Sequence, residues 1–351
     1  MKSFALGLAL SAALAIPASA QDQASGPAVD RFEIPSTVSP QAAERLKLIY
    51  NFLRAAPKQV KPDSVAEWDR RKAASDAFGI SFGKPTLDAL KVTLTDDRMG
   101  NVPVVRVRPP NWIPTGQTLI FIHGGGYVTG SARSNATDAA QMAVATGNEV
   151  ISIDYTLAPH GQWQAVTDEV LAVWKALLAS GAKPESVGVF GGSAGGGLAA
   201  GAVLKMRDKG MPLPGALYLM SPWSDITASG DTITTLAGAE PLLTNESLAW
   251  GADIYADPKD QKNPYVSPVY GDYSKAYPPT LIQVGTREIF LSHAARHYQA
   301  IRGGGHEAVL DVYEGMPHGF PSLFAETPEG RTAFGRATDF FKAHLSRGAA
   351  R

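Results

Sequence analysis

A chain that passes from a short β-branched strand into an Ala/Leu-rich helix, across glycines and a single serine, must turn sharply at that serine. Here the passage runs from Val187 to Val203. Val187, Val189 and Phe190 precede Gly191, and helix-forming residues follow Ser193. Gly191-Gly192-Ser193-Ala194-Gly195 fits G-x-S-x-G, a strand-to-helix turn that forces the serine into a strained backbone and lifts its Oγ clear of a sheet. The first N–H groups of the new helix have no partner within it, so the amide of Ala194 can face an oxyanion. The plainer reading is a glycine-rich turn with an incidental serine, and this motif alone does not separate the two.

With 351 residues the chain can form one large α/β domain with a lid, or two ordinary domains. Its net charge of -1 and the lack of any basic run exclude a nucleic-acid partner. It has no cysteine, which excludes disulfides, a thiol nucleophile and a lipid-modified cysteine anchor. Lys2, the apolar run Phe4 to Ile16 and the small residues Ala18-Ser19-Ala20 describe a secretory signal peptide over residues 1–20. The run falls short of the roughly 20 apolar residues that span a bilayer, so cleavage after Ala20 is expected rather than a stable membrane anchor. The mature protein is then periplasmic or secreted.

After a polar linker over residues 21–39, Leu46, Ile49, Tyr50 and Leu53 mark an amphipathic helix within residues 40 to 56. A weaker helical stretch runs from Pro62 to about Gly79, and the position of both helices before the first strand favours a lid. Eight strand-like runs follow: Ala89 to Thr95, Val102 to Val107, Thr118 to Ile122, Glu149 to Ile153, Val187 to Phe190, Ala216 to Met220, Thr280 to Val284 and Glu307 to Tyr313. The first two suggest an antiparallel hairpin around Asp97 to Asn101. The later ones are continuous apolar runs separated by helices, which implies a mostly parallel sheet covered on both faces, with ligands at the strands' carboxyl ends. Between Ser221 and Pro279 the alternation breaks into a Trp-, Tyr- and Pro-containing excursion above the sheet.

A serine is a weak nucleophile at neutral pH and needs a base, with an acid to hold that base in one tautomer. Of seven histidines, His318 alone lies directly after the last strand, in a loop free to reach over the sheet's carboxyl edge. Glu288 follows the strand that ends at Val284; its rivals are Asp311, inside a strand, and Asp225, one strand earlier. The order Ser193, Glu288, His318 is nucleophile, acid, base. The strand Thr118 to Ile122 opens into His123-Gly124-Gly125-Gly126-Tyr127, a loop whose backbone amides can approach a substrate oxygen. Neither glycine run fits the dinucleotide pattern G-x-G-x-x-G. Each feature taken singly has a bland reading: a surface histidine, a helix-start carboxylate, a glycine turn.

Together, His123-Gly124-Gly125-Gly126-Tyr127, Asp154-Tyr155-x-Leu157-Ala158-Pro159, Gly191 to Gly196 and His318-Gly319-Phe320 resemble the bacterial hormone-sensitive-lipase-like branch of the α/β-hydrolase esterases. The resemblance runs from about residue 40 to the C-terminus. It implies an α/β-hydrolase fold, and oxyanion donors at Gly124, Gly125 and Ala194. It also implies a helical cap from residues 40–80 and an insertion at about 225–270, with residues 81–351 forming the catalytic domain. Three positions depart from the family pattern: Gly192 and Glu288 stand where the family usually has Asp, and His160 where it has Glu.

The expected activity is carboxylic-ester hydrolysis through an acyl-enzyme, on small to medium acyl esters, with no metal or organic cofactor. Tyr127 and Trp223 are expected to line the substrate pocket. The same apparatus would serve an amide or lactone, and a binding protein that keeps the fold without turnover is the alternative from another class. A small-molecule ester is the expected partner; the sequence leaves open whether the chain forms a homodimer.

Overall fold

The computed structural model describes residues 30–346, so the expected leader lies outside the described residues. Each of the eight expected runs carries a strand: β1 (Thr93–Met99), β2 (Val102–Arg108), β3 (Thr118–Ile122), β4 (Glu149–Ile153), β5 (Val187–Gly192), β6 (Ala216–Met220), β7 (Thr280–Arg287) and β8 (Ala308–Pro317). The helices are α1 (Pro40–Ala55), α2 (Val65–Leu90), α3 (Ala136–Thr146), α4 (Trp163–Ala179), α5 (Ala194–Asp208), α6 (Thr232–Thr235), α7 (Asn245–Tyr255), α8 (Leu291–Gly303), α9 (Phe320–Leu323) and α10 (Pro328–His344). The strands form one sheet in the order β1-β2-β4-β3-β5-β6-β7-β8. β2 runs antiparallel to both of its neighbours and every other pair is parallel.

The order places the reversal point at β3. The chain crosses from β3 to β4 on one side and then returns to β5 on the other, which opens a crevice above the carboxyl ends of β3 and β5. Alternate residues of β3 feed two cores. Leu119 and Phe121 pack with Phe190, Tyr218, α3 and α10, whereas Ile120 and Ile122 pack with Val189, α4, α5 and α8. A third, smaller cluster joins Leu46 and Tyr50 of α1 to Met316 and Phe320, on either side of His318. The N-terminal helix is thereby fixed against the end of β8.

Two expectations about the start of the domain need correction. The helix expected to stop near Gly79 continues to Leu90 as α2, so the boundary drawn at residue 80 cuts a continuous helix and the first strand begins at Thr93. Gly79 is a packing glycine rather than a stop: a Cβ there would lie 2.8 Å from the carbonyl oxygen of Ser134, so its absence lets α2 press onto the segment leading into α3. The hairpin is also tighter than the five-residue turn expected. Met99 pairs with Val102, and only Gly100 and Asn101, with φ of 57° and 66°, make the turn, as a two-residue type I′ connection requires.

Candidate active site

Ser193 sits between β5 and α5 with φ 55° and ψ −123°, a backbone that L-residues avoid. Two hydrogen bonds hold it there. Its N–H donates to Met220 O at 2.9 Å, and its carbonyl accepts the N–H of Trp223 at 2.9 Å. The turn closes tightly because Gly195 has no side chain; a Cβ there would stand 2.1 Å from Ile122 O. Ser193 Oγ makes no capping bond to its own helix and lines a cleft of about 1660 Å³ together with Gly124, Gly125 and His318.

The glycine loop reaches the same place from β3. A Cβ on Gly124 would be 3.2 Å from Ser193 Cβ, so the backbone passes directly beside the serine. Gly125 has φ +115°, and its carbonyl turns inward to accept the N–H groups of Val128 and Thr129. Among the described residues, the N–H groups of Gly124, Gly125 and Ala194 donate to no backbone carbonyl, which leaves three donors beside Ser193. His123 fixes the loop. Burial pulls its pKa down, its Nδ1–H donates to Gly124 O at 2.8 Å, and its ring stacks on Tyr155 at 4.3 Å.

Glu288 and His318 meet at the ends of β7 and β8. His318 Nδ1–H donates to Glu288 Oε2 at 3.1 Å, with the carboxylate fully buried and the His318 side chain 10% exposed. The other carboxylate oxygen, Oε1, accepts Gly285 N–H at 2.6 Å and the hydroxyl of Ser221 at 2.8 Å. Burial acts to lower the pKa of His318, but the hydrogen bond and charge of Glu288, with the charge of Glu240, outweigh it and hold the pKa above its ordinary value. One carboxylate oxygen therefore orients the base while the other is itself anchored.

Sequence reasoning missed Ser221. Its signal was topological: it directly follows β6, the strand lying between the serine strand and the acid strand. The rival acids are engaged elsewhere. Asp311 accepts from Gln283 at 3.0 Å and pairs with Arg336, and Asp225 pairs with Arg296 at 2.6 Å. His160, at a departure from the family pattern, hydrogen-bonds Asp69 of α2 at 2.7 Å and so ties α2 to the body of the protein.

Tyr127 and Trp223, expected as pocket walls, do not line the cleft. They are 1% and 2% exposed and form part of an aromatic stack: Tyr255 on Tyr127 at 3.7 Å, Tyr127 on Trp223 at 5.6 Å, and Trp223 on Phe290 at 5.9 Å. The edge of Phe290 then meets the His318 ring at 5.1 Å. Being large and apolar, these rings gain more by filling the space beneath the site than by facing water, and they support the imidazole from behind. The cleft is lined instead by Leu48 of α1, Trp68 and Phe82 of α2, and Leu242, Leu248 and Trp250 of the insertion between β6 and β7.

The family model described as alpha/beta hydrolase fold matches residues 119–322, from β3 through the loop that carries His318. The chain belongs to the α/β-hydrolase fold family. An acetyl-hydrolase of Streptomyces hygroscopicus is 33% identical to this α/β-hydrolase over 290 residues, covering 83% of the chain and 92% of the relative. An esterase of Acinetobacter venetianus is 31% identical over 225 residues, covering 64% and 74%. The crystal structure of an esterase from the bacterial hormone-sensitive lipase family superposes with a TM-score of 0.79 at 30% identity, covering 88% of this chain and 99% of that one. These likenesses place the α/β-hydrolase in the hormone-sensitive-lipase-like branch, as a carboxylesterase-like hydrolase.

Proposed function

We propose that this α/β-hydrolase cleaves small to medium acyl esters through a covalent acyl-enzyme on Ser193. Ser193 Oγ attacks the ester carbonyl while His318 takes its proton, and the amides of Gly124, Gly125 and Ala194 receive the oxyanion. The bond to the alcohol then breaks, and His318 returns the proton to the leaving oxygen. Water repeats the sequence: His318 takes a proton from it, the hydroxide attacks the acyl carbonyl, and the proton passes back to Ser193 as the acid departs. Glu288 stays ionised throughout, fixing the tautomer of His318 and favouring its charged form.

The observation that carries this reading is the Nδ1 contact of 3.1 Å between His318 and Glu288. It leaves the other ring nitrogen for the cleft that Ser193 and the glycine amides share. The name of the Streptomyces relative, an acetyl-hydrolase, supports short acyl groups as the starting point for assay. The N-terminal apolar segment supports export to the periplasm or beyond. Ser193→Ala should lower turnover of 4-nitrophenyl acetate and butyrate by at least about 10³-fold. Full turnover by a folded Ser193→Ala protein would refute the assignment.

A further inference from the structure

One buried carboxylate beside the site takes no part in the steps above. Glu240, in the insertion between β6 and β7, is wholly buried. Its Oε1 accepts the N–H groups of Leu242 at 2.8 Å and Leu243 at 3.3 Å, while Oε2 accepts the N–H of Ile289 at 3.3 Å. Ile289 is the residue after Glu288. The same side chain therefore binds the insertion to the loop that carries the acid, and it lies close enough to His318 and Glu288 for their charges to act on it.

We propose that Glu240 is a positioning residue for the His318–Glu288 pair: its carboxylate fixes the Glu288 loop and, when ionised, adds negative charge that favours protonated His318 in the transition state. This rests on the hydrolase reading above. A single hydrogen-bonded carboxylate could hold the loop in place without catalytic consequence. What distinguishes Glu240 is that its charge acts on the imidazole itself, and both residues are buried. Arg31 Nη2 donates to neighbouring carbonyls, Pro241 O at 3.0 Å and Leu243 O at 3.4 Å, and not to the Glu240 carboxylate.

The ionisable groups whose charges act with Glu240 are His318 after β8, Glu288 after β7 and Tyr50 of α1; Arg287 at the end of β7 and Asp30 of the N-terminal segment act on Tyr50 in turn, and Arg31 bonds the carbonyls beside Glu240. Burial pushes the Glu240 carboxyl up to about 7, with the charge of His318 opposing and that of Glu288 adding to the rise. The charges of Glu240 and His318 act on each other, so their titrations are coupled: protonated His318 favours ionised Glu240, and ionised Glu240 favours protonated His318. The fully active form holds neutral His318 and ionised Glu240. As pH falls His318 takes up a proton and activity is lost, and the midpoint of that loss is set in part by the charge at Glu240.

The test is the pH dependence of kcat/KM for 4-nitrophenyl acetate in the wild type, Glu240→Gln and Glu240→Asp, with circular dichroism as the check on folding. In the wild type the acid limb of log kcat/KM should have its midpoint above the 6.5 of an ordinary histidine. In Glu240→Gln the midpoint should fall by about half a unit, with kcat down about 3–10-fold and KM within about twofold. Glu240→Asp, which keeps the charge, should keep the wild-type midpoint. Superimposable wild-type and glutamine profiles would overturn the inference alone. A folded Glu240→Asp protein whose midpoint falls away from that of the wild type would do the same, and it decides the matter even where the glutamine variant fails to fold. Absence of ester turnover in the wild type would overturn the hydrolase reading and this inference with it.

Discussion

The hydroxyl of Ser221 donates to Glu288 Oε1 at 2.8 Å and at the same time accepts the N–H of Gly319 at 3.0 Å. One side chain at the end of β6 thereby ties the loop that carries the acid to the loop that carries the base. Ser221 itself has φ 44°, a strained backbone held by its N–H bond to Gln283 O at 2.7 Å.

Replacing that hydroxyl should separate the two loops. Ser221→Ala removes a hydrogen bond to a buried carboxylate, worth about 1.5–3 kcal/mol, so kcat should fall about 10–100-fold while KM stays within about twofold. Steady-state kinetics with a short 4-nitrophenyl ester would check this. A fall in melting temperature at unchanged kcat would assign Ser221 to stability alone.

The pH profile follows from the environment of His318. The neutral imidazole is the base, and its pKa is raised above the ordinary 6.5 because Glu288 and Glu240 outweigh the effect of burial. Activity should therefore rise with pH through a midpoint above that of a free histidine and be lost as pH falls through it. Glu288→Gln removes the charge and should lower both the midpoint and the rate, the latter by roughly 10³–10⁴-fold. A glutamine variant with an unmoved midpoint would contradict the assignment.

The glycines of the serine turn should differ sharply in tolerance. Gly195→Ala drives a Cβ to 2.1 Å from a carbonyl oxygen and should destabilise the fold by about 3 kcal/mol or more. A Cβ on Gly192 meets nothing nearer than Met220 Cε at 3.5 Å, so Gly192→Ala should melt within about 1 kcal/mol of the wild type. Thermal denaturation of the two variants compares them directly.

The buried aromatics give a further test. Because Trp223 lies in the stack beneath the site and not in the cleft wall, Trp223→Ala should cost about 3–5 kcal/mol of stability. The more conservative Trp223→Phe should leave the relative rates on acetate, butyrate and longer acyl esters unchanged. A changed chain-length preference in Trp223→Phe would return this residue to the pocket.

These contrasts show which parts of the molecule could be read from the chain. Strands β3, β4 and β6 matched their expected ends because continuous Val/Ile/Leu runs between breakers report burial on both faces, which is local information. Ser193, Glu288 and His318 could be singled out by combining motif with strand order, since each follows the end of a strand. The end of α2 was missed because a glycine that stops a helix and one that admits a neighbour look identical until Ser134 is in place. Tyr127 and Trp223 were misplaced for a similar reason: an aromatic beside a glycine loop packs inward or outward according to partners such as Tyr255 and Phe290, far away in sequence. Ser221 and Glu240 act only through contacts made by the folded chain, and no motif marks them.

The most direct test asks which atom the substrate acylates. The purified protein, treated with a fluorophosphonate that traps activated serines, should gain one adduct by intact mass, mapping to the peptide that contains Ser193, with loss of ester turnover in step. His318→Ala should abolish labelling while remaining folded. An adduct on another residue, or turnover that persists with Ser193 fully modified, would contradict the assignment of Ser193 as the nucleophile.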